Sequence, residues 1–98
     1  MEIIRVSEKV GFSDAFMPRI LKVSPDYKVP LICLKAGQLI PPHASGTGIF
    51  YILSGAGIMT VDDEKKEITA GDMIVVEKGA TRGIEATEDL TAFAVHMG

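Results

Sequence analysis

Glycine and proline interrupt this chain so often that no helix of ordinary length fits between them. Gly11, Pro18, Pro25, Pro30, Gly37, the Pro41-Pro42 pair, Gly46 with Gly48, Gly55 with Gly57, Gly71, Gly79 and Gly83 recur every few residues. Each disfavours helix, proline by its missing N–H and glycine by its backbone entropy. The intervals are short and rich in β-branched, aromatic and other apolar residues: EIIRV, FMPRILKV, VPLICLK, GIFYIL, GIMTV, KEIT, DMIVVE and LTAFAVH. Short strands at this spacing, separated by turns, predict an all-β sandwich or barrel. DMIVVE and IFYIL are apolar at both alternating sets of positions, which suits strands covered on one side by the core and on the other by a second sheet or subunit. VDDEKKEI carries its charge between two strand-like runs and reads as a solvated hairpin. The N-terminal third is less regular, and SEKVGFSDAF has room for a short helical turn. No internal repeat or linker is visible, so residues 1–98 read as one domain.

Composition narrows the function classes. No stretch is apolar for the roughly 20 residues that span a bilayer, and MEIIRV has neither the basic start nor the apolar core of a signal peptide. The expected setting is the cytoplasm, without a membrane partner. Cys33 is the single cysteine, in the apolar run PLICL, so an inert buried thiol is expected and no internal disulfide can form. Ten basic and thirteen acidic residues leave a net charge of −3 with no basic stripe. A nucleic-acid partner is therefore not expected, and a small molecule or another protein is. Apolar residues make up 47% of the chain, high for a domain that buries only roughly 60 to 65% of its unfolded surface. The excess predicts a subunit interface, and a closed homodimer is the commonest way to make one.

Two segments resemble the signature motifs of the cupin superfamily. The first motif is G, five residues, H, one residue, H, three or four residues, E, six residues, G; here it reads Gly37, QLIPP, His43, Ala44, Ser45 and onward to GIFYILSG. The second is G, five residues, P, one residue, G, two residues, H, three residues, N; here it reads Gly71, DMIVV, Glu77, Lys78, Gly79, AT, Arg82, GIE, Ala86. The resemblance implies a small single-domain cupin, a jelly-roll β-barrel of two facing antiparallel sheets. In metal-binding cupins two histidines and a glutamate of the first motif and a histidine of the second hold a divalent ion. Transferred one by one, the first histidine is His43, the second becomes Ser45 and the fourth ligand becomes Arg82. The glutamate falls on Gly48 if Gly55 ends the motif, or on Phe50 if Gly57 does. One imidazole falls short of the three ligands a first-row metal generally takes, and a guanidinium repels a cation. No cofactor is therefore expected; a transition metal is the alternative, with His43 and His96 as weak ligand candidates.

Strand alternation puts His43 and Ser45 on one face, and the family pattern aims that face, with Arg82, into the barrel. Together they resemble an anion pocket: arginine offers a planar fork to a carboxylate or phosphate, while histidine and serine fix orientation. Phe50, Ile52 and Met59 would form the apolar wall. The alternative for Arg82 is an ion pair with Glu77 or Glu85 at the rim. His96 shares a strand face with Leu90, Ala92 and Ala94 and either reaches a cavity or lies near the terminus in solvent or in an interface. Gly46-Thr47-Gly48 precedes a strand rather than a helix, so it is no phosphate loop. The expected function is metal-independent binding of a small, anionic ligand. The alternatives are a metal-dependent or metal-free enzyme acting on a small carbohydrate or carboxylate, and a structural or regulatory dimer without ligand.

Overall fold

A computed structural model describes residues 1–98. Its strands are β1 (Arg19–Val23), β2 (Tyr27–Leu34), β3 (Leu39–Ala44), β4 (Thr47–Ser54), β5 (Ala56–Val61), β6 (Glu64–Thr69), β7 (Met73–Val76), β8 (Thr81–Ala86) and β9 (Leu90–Met97). They form a five-stranded sheet, β1-β2-β9-β4-β7, facing a four-stranded sheet, β3-β8-β5-β6, and every pairing is antiparallel. Period-two alternation sorts the side chains. Arg82, Ile84 and Ala86 of β8 turn inward while Glu85 stays exposed, and Leu90, Ala92 and Ala94 of β9 are sealed against them. The core joins these to Ile32, Leu34, Phe50, Ile52, Met59, Ile68 and Val76 from the two inner faces.

Three segments depart from the sequence expectation. EIIRV forms no strand; a single 3-10 turn spans Val6–Glu8, and Ile4 and Val6 rest beside Leu21, Val29 and Phe93 on the outer face of the larger sheet. The apolar residues of this run find a face to cover rather than an edge to pair with. Conversely, LIPPHA pairs as β3 despite its two prolines. It can do so because β3 is an edge strand with β8 as its only neighbour, and the register shifts between Ile40 and His43, where both prolines sit. Gly83 lies beneath this bulge: a Cβ there would stand 2.8 Å from the Ile40 carbonyl oxygen and 2.9 Å from the Pro42 nitrogen. TRGIEA therefore forms β8 around a glycine that lowers strand propensity but admits the neighbouring backbone.

The charged segment is a hairpin, with Asp62 at φ 51° between β5 and β6. Its carboxylate accepts the backbone N–H of Thr81 at 2.9 Å and the Thr81 hydroxyl at 3.2 Å, and so pins the start of β8. Cys33 is buried and unpaired.

Candidate ligand site

A cavity of about 200 Å³ lies between the sheets. Register builds its polar wall. His43 on β3 stands directly opposite Arg82 on β8, so both side chains leave the same face. His96 on β9 stands opposite Gly48 on β4 and Lys28 on β2. Lys28 keeps the parity of the inward residues Pro30, Ile32 and Leu34, which brings it to the cavity as well. The apolar walls come from Ile32, Ile40, Phe50 and Ile84, with Phe16 and Pro18 of the N-terminal segment closing one side.

Arg82 is only 2% exposed, and backbone carbonyls hold it. Its Nε and Nη2 donate to the Ala80 oxygen at 3.3 and 3.0 Å, and Nη2 also reaches the oxygens of Glu77 at 3.2 Å and Ser45 at 3.4 Å. The fork that a carboxylate would grip from both sides is thus half consumed, and Nη1 is left buried without a partner. No carboxylate pairs with Arg82. The three ion pairs, Lys22–Glu2, Lys35–Asp14 and Lys66–Glu64, lie elsewhere on the surface. Burial pushes the Arg82 pKa down and the more distant Asp62 offsets part of that, so the guanidinium stays charged with no counter-ion in contact.

His96 presents its ring edge-on to Phe50, with centroids 5.7 Å apart and planes at 82°, and its Nδ1 is likewise buried without a partner. Burial holds its pKa below the usual histidine value, with further depression from the charges of Arg82, Lys28 and His43. A neutral imidazole at pH 7 follows. Gly48 explains how these groups fit together: the position its Cβ would take is 3.0 Å from Arg82 Nη1, 3.0 Å from the Phe50 ring and 3.3 Å from His96 Nδ1. With no Cβ at this position, the two unpartnered nitrogens and the Phe50 ring pack close over the strand.

The cavity thus brings together His43, Phe50 and Arg82 of the ligand-binding residues expected from sequence, and His96, the other weak metal-ligand candidate, reaches it too. Ser45 lies beyond the end of β3, in an outer vestibule that it shares with Lys28, His43 and His96; its carbonyl, not its hydroxyl, makes the contacts, accepting Gly79 N–H at 2.9 Å as well as Arg82. Ile52 is sealed in the core, and Met59 borders a separate groove beside β6 and β7. His43 is exposed, with Nδ1 3.2 Å from the Pro41 oxygen. Glu77 and Glu85 send no carboxylate to Arg82, since Glu77 engages it through the main chain. Lys28 was legible as a lysine at an inward parity, but Phe16 and Pro18 carry no sequence signal for the cavity, because only the path of the loop brings them there.

Two facing antiparallel sheets with an inward-opening site between them define a protein of the cupin class. The chain belongs to the Cupin_2 family, whose cupin-domain model matches residues 30–97. It is 40% identical over 47 residues to an uncharacterised protein of Methanocaldococcus jannaschii, a match covering 48% of this chain and 38% of that one. A conserved Streptococcus pyogenes protein of unknown function superposes with a TM-score of 0.86 at 26% identity, covering 98% of this chain and 86% of its own. An RmlC-like cupin from Desulfovibrio desulfuricans superposes with a TM-score of 0.90 at 24% identity, covering 99% and 96%.

Cupins often hold a metal at this place, and the donor set here does not fit one. No group of three or more His, Cys, Asp or Glu side chains is placed so that it could hold a metal ion. Both candidate glutamate positions, Gly48 and Phe50, do turn inward on β4, but neither bears a ligand atom, and the fourth position is a buried cation.

Proposed function

We propose that this cupin binds a small anionic ligand, without a metal, in the cavity between Arg82, His96 and His43. The observation that carries the reading is a buried guanidinium with a free Nη1 and no carboxylate in contact. A charge taken out of water without a partner is costly, and an anion seated against Nη1 relieves that cost. Binding is favoured over catalysis because the cavity lining contains no carboxylate, hydroxyl or thiol to orient an imidazole or attack a substrate. Calorimetric titration of chelator-treated protein with acetate and phosphate tests the proposal. The expected result is saturable binding that Arg82→Met abolishes; a stoichiometric transition metal in the purified protein, lost in His43→Ala, would overturn it.

We further propose that the chain acts as a homodimer. Support comes from the outer face of β4 and β7, where Tyr51, Leu53, Met73 and Val75 are 38 to 64% exposed, an apolar patch of the kind that marks an interface.

A further inference from the structure

Beyond the anionic character of the ligand, on which this inference rests, the cavity constrains the rest of the molecule it takes. Its polar side chains are four, Lys28, His43, Arg82 and His96, and each is a cation or an imidazole. Every other lining residue is aliphatic, aromatic, proline or glycine. No side-chain hydroxyl, amide or carboxylate is present to pair with a ligand's hydroxyl groups. The cationic nitrogens can donate to a sugar's oxygens but offer nothing to its hydroxyl protons, so a sugar or polyhydroxy acid would bury most of those protons unpaired, each at a cost comparable to a lost hydrogen bond. An apolar tail meets Phe16, Ile32, Ile40, Phe50 and Ile84 without that cost.

The head group is constrained in the same way. Two nitrogens, Arg82 Nη1 and His96 Nδ1, are buried without partners beside the same point above Gly48. A carboxylate has two oxygens to offer them and one charge to match the single unpaired guanidinium. A phosphate brings a third terminal oxygen for which no further buried unpartnered nitrogen stands beside Gly48. With about 200 Å³ of space, the room of roughly six or seven waters, the ligand has fewer than about ten heavy atoms.

We infer that the ligand is a small amphiphilic monocarboxylate, its acid head between Arg82 Nη1 and His96 and its hydrocarbon tail against the apolar walls. Both nitrogens are closed to solvent, so seating the head group requires the partly buried His96 ring to shift.

Calorimetry of the full chain with benzoate, 3-methylbutanoate, benzamide, gluconate and inorganic phosphate tests this. The two hydrophobic carboxylates are expected to bind, with benzamide, gluconate and phosphate each at least tenfold weaker. Gluconate or phosphate binding as tightly as benzoate would overturn the amphiphilic assignment while leaving the anion reading intact. Benzamide matching benzoate, or no anion binding at all, would overturn both. Ile20→Glu supplies a check that does not disturb the Arg82 anchorage: Ile20 lines the cavity and is 46% exposed, so the variant should fold and weaken benzoate at least tenfold. Unchanged benzoate affinity in that variant would place the carboxylate outside the cavity and overturn the inference.

Discussion

A guanidinium surrounded by backbone carbonyls is held in place without being neutralised, and that distinction decides what Arg82 contributes. Of the three carbonyls it engages, Ser45 also accepts Gly79 N–H and Glu77 also accepts Ala80 N–H, so only the Ala80 oxygen depends on Arg82 alone. Arg82→Met therefore removes a costly unpaired charge and strands a single acceptor. We expect urea denaturation to place it within about 1–2 kcal/mol of the parent chain, although anion binding is lost. His96 has the opposite economy of charge. Its pKa is depressed by burial first and by Arg82, Lys28 and His43 next, so the fold favours the neutral ring. The stability this supports is whole above the unfolded-state value of about 6.5 and declines as pH falls through the lower folded-state value. Unfolding free energies measured from pH 7.5 to 5 should decrease, and His96→Leu should flatten that slope. An anion in the cavity favours the protonated ring, so NMR titration of His96 in saturating benzoate should give a higher pKa than in its absence.

At the scale of strands, two glycines position the site by what they leave out. Gly83 lets the Pro41-Pro42 bulge close onto β8, and that bulge brings His43 opposite Arg82. Gly48 leaves the space where the Arg82 and His96 nitrogens meet Phe50. Gly48→Ala is expected to displace those side chains, to cost about 1–3 kcal/mol in a urea titration, and to weaken benzoate. An unchanged affinity would mean that the two nitrogens do not form the head-group site. Residues 41 to 55 were legible as a glycine-rich turn leading into a strand, but β3 itself was not, since Pro41 and Pro42 argue against a strand unless it is an edge strand with a bulge. Edge position is a property of the sheet. Likewise Ser45 appeared to alternate with His43, yet β3 ends at Ala44, and parity has no meaning beyond the last paired residue.

For the whole molecule, the apolar excess divides between two destinations. One part fills the space between the sheets; another lies on the outer face of the larger sheet, where Ile4 and Val6 rest beside Val29 and Phe93 while Met73 and Val75 remain 64% and 52% exposed. A homodimer covering the latter predicts that sedimentation velocity finds a dimer. Tyr51→Lys combined with Val75→Lys should convert it to a folded monomer, and a parent chain that sediments as a monomer would sink the proposal.

What the residues determined by themselves was the all-β class, the two-motif cupin pattern and the replacement of three of the family's four ligand side chains, with His43 alone retained. These follow from local punctuation, period-two alternation and residue identity, which do not depend on distant partners. Tertiary structure alone decided which polar groups meet. Lys28, His96 and Arg82 come from strands far apart in sequence and converge only because β9 lies between β2 and β4 while β8 faces them from the second sheet. It also decided that Arg82 spends half its fork on the main chain and keeps Nη1 free, because hydrogen-bond satisfaction depends on the path of the loops around the side chain and not on the neighbours in sequence.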